Sequence, residues 1–271
     1  MVGNLFIVAI VSMNRKFHKP MYFFLCNLAV IDICFTNTTV PNMLKVLIGK
    51  GKSISLHFCL IQMYTFFVTG TAEFLLLAVM SVDRYLAICY PLHYITIMQR
   101  RVCIQLIAGI WLVSLLSICA PATLIMRLTF CFNEIDHFFC DVGQLLQNSC
   151  ADTSKIQIII VANSSILIVS FLVTCVSYIN IILVASKILS EGGRGKVLST
   201  CLSHAIVVTL AYGSCIFMYL RPKPGQNFTF DKKVAILNTV VVPLINPFIY
   251  TMRNQDVKEL FQDWVTIYSN K

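Results

Sequence analysis

The chain has 271 residues, 58% of them hydrophobic and only 12% charged, with a mean hydropathy of +0.79 and a formal net charge of +9. A soluble domain carries about 25% charged residues to face water, so these proportions exclude an ordinary soluble fold and point to a membrane protein. The positive charge does not indicate nucleic acid: no nucleic-acid-binding motif is present, and the Lys and Arg residues sit between apolar runs, where lipid headgroups take them.

Seven apolar stretches follow one another along the chain. The first, Met1–Met13, is short: about 13 residues reach only ~20 Å, against a hydrocarbon core of about 30 Å. The reading favoured here is a chain that begins inside a helix, shortened at its N-terminus. It has neither the basic start nor the small-residue cleavage site of a signal peptide. The others are Met21–Ile48, Leu56–Cys89, Val102–Met126, Ile156–Ile188, Val197–Leu220 and Val234–Met252, each of spanning length. They are too long for membrane β-strands and lack the alternation of a barrel, so they are expected to be helices. Glu191–Lys196 reads as a short flexible inner turn. Asn254–Tyr268, with Val257, Leu260, Phe261 and Trp264 at helical spacing, reads as an amphipathic helix on the inner surface.

Orientation comes from charge and cysteine. With the N-terminus outside, twelve of the 21 Lys and Arg residues fall inside and nine outside, a bias of the expected sign. Most of the twelve cysteines lie within apolar runs, but Cys131, Cys140 and Cys150 share one polar loop, and Cys59 opens the third stretch on the same side. Disulfides belong on the oxidising face, so that face is outside. Four cysteines allow three pairings. A metal site using His137 and Cys140 is the weaker alternative.

The third stretch carries the most information. Cys59 stands ~37 Å from Arg84 along a helix, so the two mark opposite membrane surfaces. On a helical projection Phe66, Gly70 and Glu73 fall within about 40° of Arg84, and such a mixed stripe belongs inside a bundle. Asp32 and Glu73 are the two mid-membrane acids. They are expected to share a proton, bind a cation with water, or hydrogen-bond to Asn4 and Asn246, a candidate polar core that is either a switch or a structural network that sets helix register. Asp83-Arg84-Tyr85 closes the helix. Arg84 is always charged and offers five donors, so paired to Asp83 it is held and, released, it is free to reach a partner from inside.

At this point the residues resemble the rhodopsin-like G-protein-coupled receptors, and among them the odorant receptors. Gly3-Asn4, Pro20-Met21-Tyr22-Phe23-Phe24-Leu25, the Asn27–Asp32 run, and Met80-Ser81-Val82-Asp83-Arg84-Tyr85-Leu86-Ala87-Ile88-Cys89 carry the likeness in the first three helices. Trp111, Ser177-Tyr178, the Lys196–His204 run and Pro243-Leu244-Ile245-Asn246-Pro247-Phe248-Ile249-Tyr250 carry it in the last four. The resemblance implies an all-α, seven-helix membrane bundle over residues 1–252, with its first helix shortened, and a cytoplasmic tail over 253–271 containing the amphipathic helix.

It further implies bridges Cys59–Cys140 and Cys131–Cys150. The implied ligand cleft in the outer half has Phe66, Phe67, Gly70 and Thr71 on the third helix, and Asn163 and Ile166 on the fifth. Tyr212, Cys215, Ile216 and Tyr219 complete it on the sixth. This mostly apolar set suits a small, volatile, weakly polar molecule. No acid is expected to face the cleft at that depth, which disfavours an amine. The implied coupling residues are Asp83, Arg84, Tyr85, Tyr178, His204, Asn246, Pro247 and Tyr250, acting on a stimulatory heterotrimeric G protein and cyclic AMP.

The implied setting is the plasma membrane, with lipid around the bundle and no cofactor, metal or nucleic acid. Asn227-Phe228-Thr229 is a glycosylation sequon on an expected outer loop. No catalytic motif appears, and Ser203-His204, adjacent on a helix, cannot face each other, so an enzyme is not expected. The rival readings are a non-signalling product of a truncated receptor gene and a small-solute transporter or channel; for the latter only Asp32 and Glu73 supply pore-lining charge.

Overall fold

The computed structural model of the chain describes residues 1–14, 17–48, 55–131, 140, 142–147, 149–187, 191–219 and 240–253. Among these, nine helices run in order: α1 (Val2–Met13), α2 (Pro20–Leu47), α3 (Leu56–Cys89), α4 (Pro91–Ile97), α5 (Arg100–Ile125), α6 (Val142–Gln147), α7 (Ser154–Ser186), α8 (Glu191–Tyr219) and α9 (Val242–Arg253). Four of them, α2, α3, α5 and α7, are long and apolar enough to cross a membrane, and α1 and the His204–Ile216 part of α8 are shorter apolar segments. The result is an all-α membrane bundle. The expected amphipathic helix, the Asn227 sequon and His137 lie outside the described residues.

α3 is the central rod. It packs against α2, α5, α7, α8 and the short α4. In its most apolar window 61% of residues are buried within the protein, against 22% in α5 and in α7. Those two helices turn Leu112, Leu116, Val161 and Ile168 outward, each more than half exposed. In water that surface would be unstable; in lipid it is the expected face.

Two helix-interior prolines are answered by asparagines from neighbouring helices. Pro121 has no N–H for the Ser117 carbonyl one turn back, and Asn163 of α7 donates its side-chain amide to that oxygen at 2.6 Å. Pro247 likewise leaves the Pro243 carbonyl free, and Asn4 of α1 donates to it at 3.2 Å. Within a bilayer an unpaired carbonyl has no water to turn to, so these bonds fix which helices are neighbours. Gly3, beside Asn4, permits the close approach: a β-carbon there would lie 2.9 Å from Pro247 Cβ.

One sequence expectation is corrected. Glu191–Lys196 is not a turn; it is the first part of α8. Three glycines (Gly192, Gly193 and Gly195) in a helix cost about 1 kcal/mol each, and extending an existing helix needs no new nucleus, so the Lys196–His204 segment carries the helix back through them.

Candidate functional site

At the outer end, Cys59 and Cys140 are bonded and fully buried, with Cα atoms 5.2 Å apart; Cys131 is bonded to Cys150 at a Cα separation of 5.5 Å. One turn along α3, Gln62 joins three parts of the chain. Its amide nitrogen donates to the Thr38 carbonyl of α2 at 2.9 Å, and its amide oxygen accepts from the Cys140 N–H at 3.1 Å. The sequence reading passed over Gln62, whose partners are 24 and 78 residues away and leave no local signal.

Below Gln62 lies a cavity lined by Phe35, Phe66, Phe67, Gly70, Thr71, Glu73, Phe74, Leu167 and Cys215. The space open to the centre of a water-sized sphere is ≈ 70 Å³. The aromatic wall is continuous. Phe35 and Phe66 rings are 4.8 Å apart and tilted; Phe66 and Phe67 meet edge to face at 5.4 Å.

Of the expected ligand residues, Phe66, Phe67, Gly70, Thr71 and Cys215 therefore share one cavity. Tyr212 sits against its floor, with its ring 4.8 Å from that of Phe74. The Tyr212 hydroxyl lies 2.9 Å from Ser170 Oγ and donates to the Phe74 carbonyl at 3.3 Å. Three other expected residues do not line this cavity. Asn163 uses its amide on α5, Ile166 is half-buried away from the cavity, and Ile216 is 42% exposed on the outer surface of the bundle. The side chain of Tyr219 lies outside the described residues.

The expectation that no acid faces the cleft is also corrected. Glu73, three residues below Gly70, is about 300° away by helical rotation. That is close enough to the same face to put its carboxyl on the cavity wall.

Deeper still, Asn246 of α9 donates its amide to both carboxyl oxygens of Asp32, at 3.1 and 3.3 Å, joining α2 to α9. Asp32 and Glu73 are near enough for their charges to interact. At the inner end, Arg84 Nη2 is 3.4 Å from Asp83 Oδ2. The hydroxyl of Tyr94, on α4, donates to Asp83 Oδ1 at 2.8 Å, an interaction the sequence did not reveal. Burial and the Asp83 carboxylate both push the Tyr94 phenol well above its ordinary range, so it remains a donor.

Tyr178 of α7 and His204 of α8 are hydrogen-bonded hydroxyl to Nδ1, with their rings stacked. Tyr85 leans edge-on against Tyr90. Pro247 packs at the Gly3 contact, and the Tyr250 side chain is outside the described residues. Among the described residues no group of His, Cys, Asp and Glu is placed to hold a metal ion.

An outer disulfide-anchored loop, a small cavity in the helix bundle and an inner arginine held by its neighbouring acid are arranged along one helix. That is the layout of a membrane receptor, and residues 3–250 match the family 7 transmembrane receptor (rhodopsin family). The chain belongs to this family, and within it to the olfactory receptors. It is 47% identical to Olfactory receptor 6E1 of Mus musculus, over 98% of this chain and 86% of that protein. It is 46% identical to human Olfactory receptor 2AP1 over 97% and 86%, and 44% identical to human Olfactory receptor 6C1 over 96% and 84%. It is accordingly a multi-pass plasma-membrane protein of a receptor class, not an enzyme.

Proposed function

We propose that this receptor binds a small, largely apolar volatile molecule in the Phe35–Phe66–Thr71 cavity and signals through Arg84 to a stimulatory heterotrimeric G protein that raises cyclic AMP. Residues 1–252 act as the receptor domain and 253–271 as its cytoplasmic tail. The observation that carries the reading is the placement of both ends of the process on one helix. The cavity residues Phe66 to Glu73 and the Asp83–Arg84 pair lie on α3, about 11 residues or ~16 Å apart between Glu73 and Arg84.

In this reading the ligand favours a state in which the inner end of α8 moves away from α7. Tyr178 and His204 part, and Asp83 and Tyr94 release Arg84 to a partner entering from the cytoplasm. Pro243 and Pro247 give α9 the freedom to bend. The support is that few contacts hold these groups, Tyr178 to His204 and Asp83 to Arg84 and Tyr94, so that a few kcal/mol of differential ligand affinity can shift the balance.

The test is Arg84→Ala in a cell reporter of cyclic AMP, with surface receptor counted by an outer epitope tag. Loss of odorant response at unchanged surface level is the expected result. A retained dose–response curve would refute the assignment of Arg84 as the coupling group.

A further inference from the structure

Thr71 carries a hydroxyl on the cavity wall that the protein itself does not use. On the spanning helices Thr36, Thr38, Thr39, Thr69 and Thr174 each donate to the carbonyl four residues back, at 2.6–3.0 Å. That is the ordinary way for a helix to satisfy a hydroxyl where water is absent. Beside the cavity, Ser170 donates to the Leu167 carbonyl at 2.8 Å, and the Tyr212 hydroxyl is engaged with Ser170 and the Phe74 carbonyl. Thr71 is half-buried on the wall and, among the described residues, its hydroxyl has no protein partner.

Helical rotation divides the wall that α3 supplies into two flanks. Phe66, Gly70 and Glu73 span about 60° and turn toward α2. The Phe35 ring lies 4.8 Å from that of Phe66 and 3.9 Å from the Gly70 β-carbon position, and Asp32 is near Glu73. Phe67, Thr71 and Phe74 span another 60°, set about 100° further round. They turn toward α7 and α8, where Phe74 meets the Tyr212 ring at 4.8 Å. Thr71 is thus about 160° from Glu73, on the opposite flank. Its lining neighbours there are Phe67, Phe74, Leu167 and the Cys215 thiol, which is only a weak donor and acceptor.

Resting on the reading of this cavity as the ligand site, we propose that its ligand is a compact carbonyl compound, a ketone, aldehyde or ester. Its oxygen accepts a hydrogen bond from the Thr71 hydroxyl, and the rings of Phe67 and Phe74 pack its hydrocarbon. A carbonyl brings an acceptor and no donor, which matches a flank that offers one donor. An alcohol adds an O–H that is left facing aromatic rings, and a buried donor without a partner is costly. A hydrocarbon displaces water from Thr71 without replacing its hydrogen bond.

The experiment uses the full chain in lipid nanodiscs and reads the affinity of three probes of one shape from thermal unfolding: cyclohexanone, methylenecyclohexane and cyclohexanol. Thr71→Val replaces the hydroxyl with a methyl group of similar size. It should weaken cyclohexanone roughly tenfold and leave methylenecyclohexane within about threefold of wild type, while Thr71→Ser keeps the ketone affinity. Wild type should bind cyclohexanol about threefold or more weakly than cyclohexanone. A ketone affinity unchanged by Thr71→Val, or an alcohol bound as tightly as the ketone, overturns the proposal. A readout that needs no variant is the carbonyl stretching band of isotope-labelled cyclohexanone bound to wild type. A frequency below its value in hexane is expected, and an unshifted band overturns the hydrogen bond. Gly70→Leu, which fills the cavity, separates this proposal from the reading beneath it. If all three probes still bind that variant, the cavity is not the ligand site. If all are lost there while Thr71→Val leaves the ketone unaffected, the cavity reading stands and the carbonyl inference alone fails.

Discussion

Replacing Gln62 with Leu tests whether the outer loop is locked to the helices through a single side chain. The substitution keeps volume and removes two hydrogen bonds, the 2.9 Å bond to the Thr38 carbonyl and the 3.1 Å bond from the Cys140 N–H. Cys140 is fully buried, so its N–H is left without a partner, at a cost of about 1–3 kcal/mol; the lost bond to Thr38 adds about 1 kcal/mol. The sum, about 2–4 kcal/mol, corresponds to a fall in unfolding temperature on the order of 5–10 °C for a chain of this size. Gln62→Glu keeps an acceptor for the Cys140 N–H but turns a buried carboxylate toward the Thr38 carbonyl, so it should also lose stability and recover part of it at low pH, where the protonated carboxyl can donate to Thr38. The assay is thermal unfolding of detergent-solubilised receptor, followed by reactivity of its buried cysteines, with surface level in cells as a second readout. If Gln62→Leu melts within about 1 °C of wild type, the Cys140 N–H is satisfied in some other way and the locking argument is wrong.

Three further outcomes follow from the helix contacts. Gly3→Ala places a methyl 2.9 Å from Pro247 Cβ, against a ring that cannot move aside, and should lower stability by about 1–3 kcal/mol, measured by thermal unfolding. Asn163→Leu leaves the Ser117 carbonyl unpaired opposite Pro121 and should cost about 1–2 kcal/mol. The double variant Asn163→Leu with Pro121→Ala should recover much of that loss, because the helix N–H returns. Tyr94→Phe removes the 2.8 Å bond to Asp83 and frees the carboxylate to follow Arg84; basal cyclic AMP per surface receptor is expected to rise with unfolding temperature little changed. An unchanged basal signal would assign Tyr94 to loop packing alone.

How far the chain could be read before its structure depended on the range of each interaction. The stripe on α3 was legible because helical periodicity is a local property: Cys59, Phe66, Gly70, Glu73 and Arg84 need only a 3.6-residue repeat to be placed. Asp32 and Asn246 were legible as a pair of polar residues in apolar runs, since each must find a partner inside the bundle. Partners chosen by three-dimensional packing were not legible. Gln62 looks like any polar residue near a membrane surface, and Tyr94 like any loop tyrosine, until α2, α4 and Cys140 are in place. Asn163 read as a ligand contact because it lies at the right depth. What decided otherwise was a carbonyl on another helix, set free by a proline 42 positions earlier in the chain.

Pro121 and Pro247 show what competes for an asparagine side chain inside a helix bundle. A proline within a spanning helix releases a carbonyl four residues back, here Ser117 and Pro243. In a membrane that oxygen has no water to turn to, and leaving it unpaired costs a few kcal/mol. Any Asn or Gln at matching depth on a neighbouring helix is then first a candidate for that oxygen and only second a candidate for a ligand. Asn4 and Asn163 are both taken this way. Glu73 is the opposite case. As an acid it cannot donate to a carbonyl while ionised, so proline-released oxygens do not claim it, and it stays turned to the cavity. The same accounting that commits the Asn163 amide to Ser117 leaves Glu73 on the cavity wall.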